Sequence, residues 1–133
     1  MSLKGNTIVY NILTNDGTVT AITPRIYPGV VEQGAALPAI GIYTISTTPT
    51  NHKDGASGKD LSRVQVSCYA NMDQQETLST LNEAVRSAID RATPGTYGGV
   101  DLVELRFEYQ LENFNDESQV FQIDADYLVW FKR

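Results

Sequence analysis

The sequence is poor in the residues that most often carry catalysis, metal binding or covalent cross-links. Its 133 residues include one cysteine, one histidine, one tryptophan and two methionines. A single cysteine, Cys68, excludes an intramolecular disulfide, and its place in an apolar strand pattern indicates a small buried side chain. A zinc site is not expected, because the common ligand sets need several cysteines and histidines. We therefore predict no metal and no cofactor.

Long apolar runs and clusters of basic residues are also missing. No segment approaches the ~20 apolar residues of a membrane-spanning helix, and no signal-peptide pattern is found, so we expect a cytoplasmic protein without a membrane partner. Ten Lys and Arg are scattered among sixteen Asp and Glu, and the formal net charge is −6. Nucleic-acid binding needs clustered positive charge, although an acidic protein can surround DNA without holding it.

What is present is a composition typical of a folded chain, with 41% hydrophobic residues. The length predicts one domain over residues 1–133. A chain of this size can bury a core without a metal or a disulfide.

The first half of the chain predicts one helix and two strands. Asn6-Thr7 can cap a short helix. Pro38 precedes a strand from Ala39 to about Thr47, which is apolar on both faces and should therefore be central or covered. The polar stretch Pro49 to Asp60 is typical of an exposed loop. The chain then returns as a strand, Leu61 to Ala70, with Val64, Val66 and Cys68 facing the core.

The second half shows the clearest periodicities. Apolar residues recur at helical spacing from Gln74 to Ala92, and Asp73 with Glu76 would form the capping box. Two stretches of strict alternation follow, Val103 to Leu111 and Phe121 to Phe131, and predict two long strands joined as a hairpin. The element order α-β-β-α-β-β predicts an α+β fold: a four-stranded, mainly antiparallel sheet with two helices packed on its apolar face.

No combination of residues in the sequence matches the pattern of a known type of active site. A catalytic histidine needs an orienting acid and a nucleophile in fixed geometry, and His52 lies beside Lys53 and Asp54 in a polar loop. The stretch that ends at Lys59 lacks the glycine spacing of a phosphate-binding loop.

An acidic strand face is the main candidate for chemistry or contact. Glu104, Glu108 and Glu112 are four apart on one predicted face, near Asp124 and Asp126 of the partner strand. Paired carboxylates can hydrolyse glycosides, so a small hydrolase or lyase remains an alternative. A solvated face or a subunit contact is the favoured interpretation.

Trp130 and Leu128 fall on that same polar face, near the end of the last predicted strand. Apolar side chains there indicate either cover by another chain or ordinary isolated exposure. Both interpretations remain open.

Several short motifs follow one another in a characteristic order along most of the chain. They are Arg25-Ile26-Tyr27-Pro28, Leu37-Pro38, Asp54-Gly55 and the strand Val64 to Ala70, followed by the amphipathic helix. In this order the chain resembles the tail-completion (tail-terminator) proteins of long-tailed bacteriophages.

The resemblance implies a structural virion protein rather than an enzyme. Such subunits form a ring, here expected to be hexameric, at the head-proximal end of the tail tube, where they stop tube growth and join the head connector. DNA would pass through the lumen, and the protein would occupy the host cytoplasm before assembly and the virion tail afterwards. A non-phage adaptor of the same fold is a further alternative. The candidate partner contacts are His52, Lys53, Asp54, Lys59, Glu104, Glu108 and Trp130.

Overall fold

The computed structural model describes residues 4–29, 31, 36–52 and 55–132. Three helices are present in these residues: α1 (Lys4–Thr14), α2 (Gly17–Ile22) and α3 (Gln75–Ile89), the last preceded by a 3₁₀ turn at Met72–Gln74. The strands are β1 (Ile26–Tyr27), β2 (Ala39–His52), β3 (Gly55–Asn71), β4 (Gly95–Tyr97), β5 (Val100–Asn115) and β6 (Val120–Lys132). The predicted α+β class is confirmed. None of the helices in these residues is long and apolar enough to cross a membrane.

The strands form one six-stranded sheet in the order β1-β2-β3-β6-β5-β4. The β1–β2 pair is parallel, and the other neighbours are antiparallel. The expectation of four strands and two helices is too low. Strands β1 and β4 have two and three residues, which is too short for alternation to reveal them. The six-residue α2 is held by Asp16, whose Oδ1 accepts from the N–H groups of Thr18 and Val19 at 3.0 Å.

The segment from Pro49 to Asp60, predicted as a loop, is for the most part a β-hairpin. Strand β2 continues to His52, which pairs with Gly55, while Thr50 pairs with Lys59. Threonine is favourable in strands because its branched Cβ suits the pleated surface, so a polar segment can remain extended. The hairpin projects beyond β6, whose pairing with β3 begins at Lys59.

Strand β2, predicted from its two apolar faces to be central or covered, is covered in its first residues, where Ile40 and Ile42 are buried. It is second from the edge of the sheet, and β1 pairs only with its residues Ile40 and Gly41. At Ile45 the register shifts relative to β3, and this side chain is 54% exposed. The apolar pattern therefore indicated cover correctly for the first residues of β2 but not for Ile45.

Two irregularities in β5 overturn the strict alternation predicted for this strand. The register with β6 shifts between Leu102 and Glu104 and again between Phe107 and Tyr109. Each extra residue exchanges the two faces of a strand, because side chains alternate with a period of two. Leu102 is therefore buried in place of Val103, while Tyr109 is 45% exposed.

The core lies between one face of the sheet and the helices α1 and α3. The stripe predicted on α3 is confirmed, as are the predicted inward faces of β3 and β6. Buried apolar side chains come from α1 (Ile8, Val9, Leu13), α3 (Leu78, Leu81, Val85, Ile89), β3 (Val64, Val66, Cys68) and β6 (Ile123, Ala125, Tyr127, Val129, Phe131).

The start of α3 is capped differently from the prediction. The backbone N–H of Asn71 donates to Oε1 of Gln74 at 3.1 Å, so the capping contact precedes the 3₁₀ turn instead of using Asp73 and Glu76. Capping boxes are recognised by residue spacing, and this sequence offers two overlapping pairs at that spacing.

Two of the short motifs are brought together beside β2. The Arg25 Nε–H donates to the carbonyl oxygens of Ala36 and Pro38 at 2.9 and 3.1 Å. The hydroxyl of the buried Thr23 also donates to the Pro38 carbonyl at 2.7 Å. These contacts hold the chain that leads into β2 against the end of α2.

Helix α1 is attached to the sheet by a close approach and by a buried amide. A Cβ on Gly5 would lie 2.9 Å from Cγ2 of Val64, so glycine permits α1 to lie this near β3. Asn6 is not the predicted cap, since α1 begins at Lys4. Its Nδ2 donates to the Ile42 carbonyl at 3.1 Å, and its Oδ1 accepts from the Thr44 hydroxyl at 2.6 Å.

We predict that Asn6→Ala lowers the free energy of unfolding by about 1–3 kcal/mol, because the buried Ile42 carbonyl loses its donor. Urea denaturation would measure the change. Asn11→Ala, on the same helix and partly exposed, is the matched control, since both changes bring the same gain in helix propensity. Equal effects of the two substitutions would show that the Asn6 contacts do not stabilise the fold.

A second prediction concerns the thiol of Cys68, which is fully buried. Burial raises its pKa to about 12, whereas the pKa of the thiol in the unfolded chain is about 8.5. The native state then retains a proton that the unfolded state loses, so this group's contribution to stability falls as the pH rises above the unfolded value. At about pH 8 we expect Ellman's reagent to label the urea-unfolded chain rapidly and the native chain far more slowly. Equal rates would contradict the burial.

Candidate interaction surface

The face of the sheet turned away from α1 and α3 is called the open face. It combines carboxylates with aromatic and aliphatic side chains, as strand alternation and register place them. The side chains used below are Arg63 and Ser67 of β3, Glu104, Arg106 and Tyr109 of β5, and Asp124, Asp126, Leu128 and Trp130 of β6.

Asp124, near the centre of the open face, is held by neutral donors. Its Oδ1 accepts from the Ser67 hydroxyl and from Nε2 of Gln122, both at 2.6 Å. Its Oδ2 accepts from Nδ2 of Asn113 at 3.1 Å. Asp124 is 9% exposed, so its three hydrogen bonds replace most of the water that a carboxylate requires.

Asp126, two residues further along β6, is neutralised by a cation. Its Oδ2 lies 3.2 Å from Nη1 of Arg63, and the residue is only 4% exposed. The negative charge of Asp126 raises the pKa of the neighbouring Tyr109 hydroxyl, as does a hydrogen bond to the same carboxylate. The guanidinium of Arg63 also lies 6.0 Å from the centre of the Tyr109 ring.

Trp130, Glu104 and Lys59 lie at one end of the open face. Trp130 pairs with Glu104 on one side and with Leu61 on the other. The guanidinium of Arg106 lies 5.0 Å from the centre of the Trp130 ring, in cation–π contact. Lys59 pairs with Lys132 at the same end of the β3–β6 ladder. Trp130 is therefore partly covered by its own chain.

The remaining candidates from the sequence are not gathered at this end. Glu108 lies at the second irregularity of β5, beside Tyr109. The backbone of His52 ends β2 at the projecting hairpin, and Lys53 and Asp54 lie outside the described residues. The described candidates therefore do not form one surface patch.

The predicted row of three acids on one strand face is wrong. The irregularity at Glu108 leaves Glu104 on the open face but turns Glu112 to the helix side, where it pairs with Ile123. Glu104 and Glu108 are exposed, while Asp126 is paired with Arg63. These carboxylates do not converge on a common pocket, which the hydrolase alternative requires.

A groove that the sequence did not reveal lies on the helix side of the sheet, between α3, the second half of β5 and the first residues of β6. Its volume is about 310 Å³, and Asn82, Arg86, Gln110, Glu112 and Phe121 are among its lining residues. Nδ2 of Asn82 donates to Oε1 of Gln110 at 3.0 Å. Gln110 reaches the helix because of the irregularity at Glu108, which strict alternation does not disclose.

The part of the chain that the structure describes contains no group of three or more His, Cys, Asp and Glu side chains arranged to bind a metal ion. Its carboxylates are instead dispersed along the strands or held by the contacts given above. On the open face, the two buried carboxylates of Asp124 and Asp126 are satisfied by side chains of their own chain.

Comparison with known proteins gives a family match and, among the solved structures, matches in fold, one of which is described below. The family model described as "Tail completion protein gp17" matches residues 7–132. A chain from a structure titled "Virion of native gene transfer agent (GTA) particle" is similar in fold, with a TM-score of 0.80 and 18% sequence identity. The match covers 96% of this chain and 94% of the other. Comparison with curated protein sequences yields no match.

We predict that Asp124→Ala lowers the free energy of unfolding by about 1–3 kcal/mol, because it deprives three donors of their acceptor in a partly buried setting. Thermal denaturation would measure the loss. Asp116→Ala, in the exposed turn after β5, removes a carboxylate of the same charge and serves as the control. A smaller loss for Asp124→Ala than for Asp116→Ala would contradict the role given to the Asp124 contacts.

Proposed function

The chain belongs to the tail completion protein gp17 family, and from that premise we propose that it forms a ring at the head-proximal end of a phage or prophage tail tube. In this proposal the ring ends tube growth and joins the tail to the head connector. The chain is a structural tail protein of a phage-like particle; the ring, its six copies and its two docking partners are our proposal. The observation that carries it is the family match across residues 7–132.

The similar fold found in a virion supports the part of this proposal that places the chain in a phage-like particle. The gene transfer agent chain matches over nearly the whole length of both proteins, so the same arrangement of elements occurs in a phage-like particle. We infer that this chain works as the single domain 1–133, made in the host cytoplasm and incorporated into the virion tail.

The projecting β2–β3 hairpin is the element that we assign to docking. Beyond Lys59 it is no longer paired with β6, so it extends past the body of the sheet. Backbone pairing between Asn51 and Ala56 keeps it extended. Such a hairpin can reach a tube subunit or a connector subunit while the core of its own domain remains intact.

The charge of the chain suits the passage of DNA through the ring. With a formal net charge of −6, a ring of copies repels a duplex and leaves it free to slide. We therefore expect DNA to pass without specific binding.

Assembly and docking, rather than catalysis, complete the proposal. The carboxylates of the hydrolase alternative are spread over two faces of the sheet. His52 stands at the far end of the hairpin, away from Cys68 in the core. These placements support a structural role, and no cofactor or metal enters it.

We predict that particles produced without this protein have overlong tail tubes or tails not joined to heads, because nothing stops tube growth or presents the connector surface. Negative-stain electron microscopy of lysates from a deletion strain and its parent would measure tail length and joining. A plasmid copy of the gene in the deletion strain is the control. Normal virions from the deletion strain would overturn the proposal.

A further inference from the structure

Both long outer strands of the sheet have an open hydrogen-bonding edge. Strand β2 is 14 residues long, and β1 pairs with two of them. Strand β5 is 16 residues long, and β4 pairs with three. Within the described residues, the remaining outer edges of both strands have no strand partner; on β2 the edge is open beyond Ile42, whose carbonyl already accepts from Nδ2 of Asn6. Unpaired N–H and C=O groups in such a row are a template for another chain.

Exposed apolar side chains concentrate on these same two strands. Six large hydrophobic side chains are exposed in the described part of the chain, and four belong to β2 and β5: Ile45 (54%), Tyr109 (45%), Leu111 (57%) and Phe114 (37%). An edge that also exposes apolar groups gains from being covered, because burial removes that surface from water.

The two edges differ in charge. From Ala39 to Asn51, β2 contains no charged residue, and it lacks the lysines that protect many edge strands from pairing. From Val103 to Asn115, β5 contains Glu104, Arg106, Glu108 and Glu112. Pairing of two β5 edges would bring like charges together, which is unfavourable. Pairing of a β2 edge with a β5 edge avoids this repulsion, because the β2 edge has no charged residue.

Strand direction makes β2 and β5 suitable partners. The three antiparallel steps from β2 through β3 and β6 to β5 leave β2 and β5 running in opposite directions. A second copy that continues the sheet in the same orientation therefore places its β2 antiparallel to β5 of the first. Antiparallel pairs have perpendicular, well-aligned hydrogen bonds.

The short strands do not obstruct this contact. Strand β1 covers the start of β2, and β4 covers the start of β5. In an antiparallel pair the start of each strand lies opposite the end of the other. Strand β4 then lies beyond the end of the partner's β2, and the partner's β1 lies beyond the end of β5, so both act as stops that limit the register.

We propose that copies of this chain join through antiparallel pairing of the β2 edge of one subunit with the β5 edge of the next. The contact is head-to-tail, so it repeats around a ring instead of ending at two copies. Pairing of two β2 edges would instead close a dimer and leave both β5 edges open. The choice between them rests on the ring proposed above.

Mixed cross-linking of two cysteine variants tests this interface. Ser46 of β2 and Leu111 of β5 are both exposed and lie on the open face, and they fall opposite each other when the open stretches of the two edges are centred between the stops. We expect a short thiol cross-linker to join Ser46→Cys to Leu111→Cys in assembled protein and to give little product with either variant alone. The buried Cys68 contributes no background. Ser79→Cys, on the exposed side of α3, replaces Leu111→Cys in the control mixture and should give no product.

A charge substitution at the neutral edge gives an independent readout. We expect Ile45→Glu, facing the acidic β5 edge, to raise the protein concentration needed for half-assembly about tenfold or more relative to Ile45→Lys. Both variants lose the same apolar side chain, so their difference reports charge alone. Equal melting temperatures of the two monomers would show that the fold is unaffected.

The outcomes separate this interface from the function on which it rests. Assembly is measured by native mass spectrometry, with the purified chain at high concentration and with tail tubes present. Rings without the mixed cross-link, or with Ser46→Cys joined to itself, overturn the edge pairing and leave the ring standing. A monomer under both conditions overturns the ring and the interface together. Rings with the mixed product and the expected charge effect support both.

Discussion

The antiparallel pairing of β3 with β6 is the interaction on which the rest of the structure depends. The ladder runs without a register shift from the Lys59–Lys132 pair to the Asn71–Val120 pair. On the helix side it sets Val66 beside Ala125, where α1 and α3 cover the sheet. On the open face it sets Ser67 beside Asp124, and their side chains meet at 2.6 Å. One regular pairing thus creates both the core and the polar centre of the other face.

Regularity ends at the strands outside this central pair. The pairing of β2 with β3 shifts register at Ile45 and again between Thr50 and Asn51, and β5 shifts twice against β6, near Val103 and at Glu108. Extra residues in a strand increase local twist and redirect side chains, so the outer strands differ most from an ideal alternation. These strands also carry most of the exposed apolar groups and the open edges. The fold is therefore regular at its centre and irregular at its margins, where most of the exposed apolar side chains of the described residues lie.

A structural role is consistent with the hydrogen bonds and the ion pair that satisfy the buried carboxylates. Asp126 has Arg63 as its partner, and Asp124 has three neutral donors. A catalytic carboxylate is instead placed where its protonation can change during a reaction. Satisfied carboxylates stabilise one arrangement of strands, and that is what a subunit needs if its edges are to present a constant geometry to neighbours.

Local periodicity by itself determined much of this protein. The stripe on α3, the inward face of β6, the burial of Cys68 and the α+β class all follow from spacing, because helices and strands repeat their side chains at fixed periods. The order of motifs along the chain also indicated the family. The tertiary structure alone decided which residues break the period, since the extra residue Glu108 shifts Gln110 and Glu112 to the helix side. It also decided that the side chain of Asn6 is buried and hydrogen-bonded to β2 instead of capping α1. Such features depend on a partner strand or helix distant in sequence, and no local pattern specifies where that partner's register will place them.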